Sequence, residues 1–284
     1  VQVCMADILD SRRIAAILRG HRPEIVFHAA AYKHVPLMES HAGEAVKNIV
    51  SATRRLADLA PDHGVESFVM ISTDKAVNPT SVMGACKRAA EMYVQSLAGT
   101  SPCRFMTVRF GNVLDSAGSV VPVFRQQIAA GGPVTVTDPR MERFFMTIPE
   151  AARLVIQAGV IGNDGEILLL DMGEPVRIID LAADMIRLSG LRVGDDIEIE
   201  ITGLRPGEKL YEELHAEGET HLPTRHPKIV IADSKRRDPH EVRRAVEHLE
   251  SLADDSQAVI LDSLRRLVSE YVPPQQSASQ TRAA

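Results

Sequence analysis

Cysteine is scarce and unpatterned. Cys4, Cys86 and Cys103 form no CxxC pair and leave an odd thiol, which argues against a disulfide scaffold or a zinc site and points to a reducing, cytoplasmic compartment. No apolar run reaches the roughly 18 residues a membrane span needs, so this segment is expected to make no membrane contact. A signal peptide is also missing, and the first residue is Val rather than Met. The chain is therefore expected to be cut from something longer, whose upstream part is free to carry a membrane region at the cytoplasmic face. There is no basic excess either: a formal charge of −6 gives no reason to expect nucleic acid or an anionic membrane as partner. A polyanionic substrate must then be met by locally placed Lys and Arg. What is there, 284 residues at 45% hydrophobic and 25% charged, is ordinary for a soluble globular enzyme. The length suits one large α/β domain or a domain with an appended lobe.

Residues 25–31 are a short apolar run ending in small residues and predict a buried strand. Helical periodicity over 39–62 precedes a second strand at 66–73, a helix at 83–98 and a third strand at 104–110. That alternation predicts a parallel sheet with helices on both faces, whose active residues gather at the carboxyl ends of the strands. Past about residue 112, Gly and Pro punctuate short strands near 134–137, 167–171, 196–202 and 228–232, with helices near 149–160, 177–190 and 207–216. This predicts a smaller lobe interleaved with the end of the main sheet. One or two amphipathic helices are expected over 238–270, and a disordered tail from Pro273.

Ser72-Thr73-Asp74-Lys75 ends the second strand. A hydroxyl, a carboxylate and an amine packed there are costly unless solvated or used, and Asp74 and Lys75 can equally be an exposed pair. Met83 and Lys87 then share one face of the next helix at i and i+4. In short-chain dehydrogenases a Tyr-x-x-x-Lys pair occupies this place. Met83 stands where Tyr would be, and a thioether exchanges no proton.

The stretch STDKAVNPTSVMGACKRAAE resembles the signature of the CapD-like polysaccharide-biosynthesis nucleotide-sugar 4,6-dehydratases, whose membrane-linked branch carries Met in the Tyr position. HAAAYKHVPLME at 28–39, RFGNVLDSAGSVVPVF at 109–124, TDPRMERFFMT at 137–147 and GLRPGEKLYEEL at 203–214 extend the resemblance, in order, over about residues 1–235. The resemblance implies an α/β, Rossmann-like, doubly wound parallel sheet and a lyase that uses NAD on a UDP-sugar in capsule or glycan synthesis. It implies Lys75 as base, with its pKa depressed by burial, and Asp74 as acid for the C6 hydroxyl, with its pKa raised. Thr73 is expected on the C4 hydroxyl, Lys87 on the nicotinamide ribose, and Met83 as packing against sugar or nicotinamide.

For the cofactor, the resemblance points to Asp7 and Ile8 at the adenine, to the small side chains after His28 (Ala29, Ala30, Ala31), and to Lys33 near ribose or phosphates. His34 is expected as a rim residue and Asn48 as a structural one, bonding backbone near the catalytic strand. For the substrate it points to Asn112 at the diphosphate, with Arg125 and Arg140 nearby. Arg205 is expected at a turn into a helix, and Glu208 at the uridine ribose; an ordinary helix N-terminus is the plain alternative. One element is missing: no GxGxxG occurs in the sequence, so the first strands and the glycine loop of such a domain are absent. The expected organisation is a partial NAD-binding domain over 1–112, a substrate lobe over 113–235, C-terminal helices over 236–272 and a tail over 273–284. A homo-oligomer is expected by analogy of fold. Two other readings stay open, an NAD-dependent nucleotide-sugar epimerase and a non-catalytic sugar-nucleotide-binding module.

Overall fold

The computed structural model describes residues 1–215, 219–233 and 236–273. The chain begins with α1 (Ser11–His21) and β1 (Ile25–His28). A helical stretch follows: α2 (Val35–Ser40), α3 (Ala42–Ala45), a π-turn at Val46–Ser51 and α4 (Ala52–Asp62). Next come β2 (Ser67–Ile71), α5 (Val82–Ser96), β3 (Arg104–Arg109) and the short β4 (Asn112–Val113). The smaller lobe opens with α6 (Val120–Ala129), β5 (Val134–Val136), β6 (Glu142–Arg143) and β7 (Phe145–Met146). The chain then returns through α7 (Ile148–Ile161) and β8 (Ile167–Leu170), and leaves again through β9 (Val176–Arg177), α8 (Ile178–Leu188) and β10 (Ile199–Ile201). It closes with β11 (Thr220–Pro223), β12 (Ile229–Asp233), α9 (Pro239–Ser251) and α10 (Gln257–Leu267).

The main sheet has the order β1-β2-β3-β8-β12-β11. Its first four strands are parallel, and β12 and β11 complete the sheet as an antiparallel hairpin. Strand periodicity divides the side chains between two layers. Phe68, Met70 and Phe105 face the layer built by α4, α5, α9 and α10, while Val69, Met106 and Val108 face α7. The Leu-rich β8 is buried throughout, as a strand covered on both faces must be. β1 departs from its prediction. It pairs only with β2 among the described strands, and Ile25 and Phe27 are each 43% exposed. It is an edge strand rather than a buried one, and it ends at His28.

α5 is the most enclosed helix, with every residue but Arg88 buried. Its N-terminus is capped twice, by the Ser81 hydroxyl accepting from Gly84 N and by the Glu39 carboxylate accepting from Val82 N at 2.6 Å. Gly84 has a packing reason: a Cβ there would overlap the Lys75 carbonyl, so its absence lets the helix lie against the turn that follows β2. The C-terminal helices join the same core through Val242, Val246, Leu249, Ile260 and Leu264.

The smaller lobe has its own apolar cluster, in which Phe124, Val134, Val136, Ile178 and Ile186 join α6, α8 and the parallel pair β5 and β10. The helix predicted near 207–216 does not form in residues 207–215, and residue 216 lies outside the described residues. The turn at Pro206–Gly207 is present, with Gly207 at φ +80°, but the carbonyls beyond it are claimed by other segments. Thr80 Oγ1 donates to Gly207 O, the Arg143 guanidinium to Lys209 O and Leu210 O, and Glu142 N also to Leu210 O. Three carbonyls that a helical ladder would use are thus turned to tertiary partners. The predicted disorder from Pro273 falls mostly on residues 274–284, outside the described residues. No described helix is long and apolar enough to cross a membrane.

Candidate functional site

A cleft of about 510 Å³ opens at the carboxyl ends of β1, β2 and β3 and is walled on its far side by the smaller lobe. This is where a parallel sheet leaves backbone ends and loops free to build a site. After β2, the Ser72 and Asp74 amides still donate to β3 and its extension, at Val108 O and Phe110 O. The chain then turns through Asp74–Ala76, with Thr73 as N-cap. Pairing on one side and Gly84 on the other fix the backbone of Thr73–Lys75.

Asp74 is completely buried. Its Oδ1 accepts from Thr73 Oγ1 at 2.7 Å and from Lys75 Nζ at 3.0 Å, while its Oδ2 has no partner among the described residues. Lys75 Nζ also donates to Asn112 Oδ1 at 3.2 Å and lies 3.5 Å from Glu212 Oε1. Its side chain is 20% exposed. Burial opposes its charge, but Asp74 and Glu212 together outweigh burial and the nearby Arg143, and its pKa is raised. The predicted depression is thus reversed. In the free cleft Lys75 is an ammonium ion, because two carboxylates face it.

Lys87 behaves differently. Its ammonium donates to Ile71 O at 3.0 Å, and burial, only partly offset by Glu91, lowers its pKa to about 8. Behind it lies His28, bonded to Thr53 Oγ1 at 2.9 Å and held neutral by burial and by the Lys87 charge, with its pKa lowered to about 3. Met83 is buried and lines the cleft.

The cleft wall brings together Thr73, Lys75, Met83, Lys87, Ala29, Ala31, Lys33, His34, Asn112, Arg205 and Glu208, and Asp74 stands directly behind Lys75. Other predicted residues stand elsewhere. Asp7 accepts from Leu9 N in the turn before α1, and Ile8 packs against the α1–α4 side of the core. His28 is behind the wall, and Ala30 is exposed on the loop after β1. Arg125 pairs with Asp115, and Arg140 is clamped by Asp138 at 2.9 Å on the surface. Asn48 does bond backbone, accepting from Tyr32 N at 2.6 Å, but it holds the loop after β1 rather than the catalytic strand. Arg205 and Glu208 pair with each other at 3.2 Å.

Two wall residues escape the sequence reading, Arg143 and Glu212. Arg143 stands between Glu142 and Phe144, and Glu212 between Tyr211 and Glu213, so neither is set apart by its neighbours in the chain.

Comparison with known proteins places this geometry in context. The sequence profile of the polysaccharide biosynthesis protein family matches residues 1–234. The chain is 56% identical over 218 residues to the capsular polysaccharide biosynthesis protein CapD of Staphylococcus aureus, covering 76% of this chain and 36% of that protein. It is 32% identical over 222 residues to an inverting UDP-N-acetylglucosamine 4,6-dehydratase of Campylobacter jejuni, covering 77% of this chain and 63% of that enzyme. The chain thus spans less than two thirds of the length of either curated relative. Among solved structures, Pen from Bacillus thuringiensis superposes with a TM-score of 0.75 at 34% identity, covering 87% of this chain and 82% of that one.

Proposed function

The chain belongs to the polysaccharide biosynthesis protein family, and we propose that its cleft is the catalytic centre of an NAD-dependent nucleotide-sugar 4,6-dehydratase acting on UDP-N-acetylglucosamine. The observation that carries this reading is the buried Asp74–Lys75 pair, in which Lys75 lines the cleft and Asp74 stands directly behind it. The 3.0 Å bond from Lys75 Nζ to Asp74 Oδ1 couples a group that reaches the cleft to a carboxylate behind it, which is the pairing of proton acceptor and proton donor that elimination of water needs. The likeness to the Campylobacter enzyme supports the substrate.

The walls fit the nicotinamide end of NAD. Ala29 and Ala31 leave room beside the end of β1, and the Lys87 ammonium stands on the cleft floor. No GxGxxG occurs among the 284 residues to hold the diphosphate. When bound, NAD would supply acceptance of hydride from C4 of the sugar and its return to C6.

The residues of the chain move protons. Lys75 takes the C5 proton, which a ketone at C4 acidifies, and Asp74 gives a proton to the C6 hydroxyl as it leaves as water. These roles need the Lys75–Asp74 proton on the carboxylate, the reverse of the free cleft. A bound sugar expels water from around the pair, and desolvation favours the neutral pair over the ion pair. The transfer runs along the existing 3.0 Å hydrogen bond, from Nζ to Oδ1. Thr73 Oγ1, beside the same oxygen, exchanges that bond for the C4 hydroxyl, whose proton passes to solvent as the ketone forms; Lys75 returns its proton to C5, and a solvent proton restores the pair at the end of the cycle. Met83 contributes shape only. Arg205 meets the substrate diphosphate and Glu208 the uridine ribose, while Lys33 meets the ribose or phosphates of the cofactor. The expected division into a cofactor part over 1–112 and a substrate lobe over 113–235 goes with this reading, as does a homo-oligomer.

Simple C4 epimerisation has no leaving hydroxyl and no use for an acid beside the base, and a binding module has no use for the pair at all. The test is mass spectrometry of UDP-N-acetylglucosamine incubated with NAD and the full chain. Loss of one water, absent in Lys75→Met, is the expected result. Unchanged mass with altered sugar stereochemistry would move the case to an epimerase.

A further inference from the structure

The chemistry above leaves two buried charges in the cleft wall without a role. Glu212 comes from the irregular stretch after Gly207, and its side chain is 3% exposed; Arg143 comes from β6 and is 8% exposed. The guanidinium of Arg143 is fixed by three backbone carbonyls, those of Glu142, Lys209 and Leu210, at 2.7, 2.8 and 3.1 Å. It cannot follow a mobile partner. Instead it stands 3.7 Å from Glu212 Oε1, the same oxygen that lies 3.5 Å from Lys75 Nζ. Glu212 Oε2 has no partner among the described residues.

Glu212 is therefore a bridge. A rigid cation on one side holds the carboxylate, and the carboxylate faces a cation that must change its charge. One oxygen, Oε1, is shared between the two cations, and the residue lines the cleft.

We propose that Glu212, held by Arg143, is a positioning residue that fixes Lys75 over the sugar and sets which member of the Lys75–Asp74 pair carries the proton. The proposal rests on the dehydratase reading and adds a residue to it. The groups facing Lys75 are Asp74 from its own turn, Asn112 from β4, Glu212 and Arg143 from the smaller-lobe side, and Lys87, which α5 brings to the same cleft. Burial lowers the Lys75 pKa and the two carboxylates raise it, with Arg143 opposing them. Removing the Glu212 charge leaves Asp74 alone against burial and Arg143, so the amine form gains at every pH. The same change frees the side chain from its place.

The experiment is a pH titration of the Lys75 side chain by NMR in the full chain, wild type against Glu212→Gln, without substrate. The titration midpoint is expected to fall by about one pH unit or more in the variant. In dehydration assays the variant should lose about tenfold or more in kcat with KM nearly unchanged, and its acidic limb should move to lower pH. If Glu212→Gln does not fold, Glu212→Asp serves instead. It keeps the charge but shortens the reach, and should hold the midpoint near wild type while kcat falls. An unmoved midpoint in Glu212→Gln, or full activity in Glu212→Asp, overturns the role of Glu212. A wild-type chain that removes no water from the sugar overturns the dehydratase reading instead, and the titration tells the two failures apart.

Discussion

Residues 67–96 and residues 203–214 both wall the cleft, yet they are held in opposite ways. The first is a strand, a turn and a helix whose order comes from local rules: an apolar strand, a Thr cap at Asp74–Ala76, a Ser cap at α5, and a glycine where the helix meets the turn. The second has no regular structure at all. It is held from outside, by Thr80, by Arg143 and by the Glu142 amide, and Lys209 Nζ adds a bond back to Val77 O, just before the start of α5. The groups proposed to react stand on the self-ordered segment. The segment ordered by others carries Arg205, Glu208 and Glu212, the groups proposed to meet the substrate or to orient Lys75. The place of the second segment therefore depends on the lobe having folded over the sheet, whereas the turn after β2 is set locally.

The largest effect should come from the self-ordered side. Lys75→Met removes the proposed base and should cut dehydration by about a thousandfold, read from water loss by mass spectrometry, and should also lower the melting temperature, because the buried Asp74 and Glu212 carboxylates lose their cation. Gly84→Val drives a side chain into the Lys75 carbonyl and should cost about 3 kcal/mol of stability in thermal melts, with activity lost alongside. If Gly84→Val were neutral, α5 would not be pressed against the turn, and the contrast would lose its basis.

The next test addresses charge rather than packing. Lys87 has its pKa lowered to about 8, so it is charged at pH 7 and mostly neutral at pH 9. Affinity for NAD should fall about tenfold between those two values, following the charged fraction. In Lys87→Arg, which keeps its charge throughout, calorimetric titration should find the fall gone. On the externally held side the effects shrink. Gly207→Ala forces a side chain to φ +80° and toward Glu39 and Ser81; it should cost about 1 kcal/mol and raise KM more than it lowers kcat. Arg140→Ala should change neither melting temperature nor turnover, because its surface clamp with Asp138 lies off the cleft wall.

What the sequence allowed one to read follows the same division. Thr73–Lys75, Met83 and Lys87 were legible because their spacing in the chain is their spacing in space. Arg143 and Glu212 were not, because they reach Lys75 only after the lobe has folded over the sheet. Arg140, three residues from Arg143, carried the same charge in the same motif, and only the register of β6 decides which arginine turns inward. The helix predicted near 207–216 had good local pattern, but its carbonyls went to tertiary partners. The lysine pKa failed for a related reason. Burial was foreseeable from the strand, while the second carboxylate, Glu212, comes from a segment more than a hundred residues away.

The central claim is that the Lys75–Asp74 pair moves the C5 and C6 protons of a nucleotide sugar. Its most direct test is to incubate the full chain with NAD and UDP-N-acetylglucosamine in deuterium oxide and to locate the label by mass spectrometry and NMR. A product that has lost one water and carries deuterium at C5, absent with Lys75→Met, is what the account predicts. A sugar that keeps its C6 hydroxyl and its C5 hydrogen would contradict it.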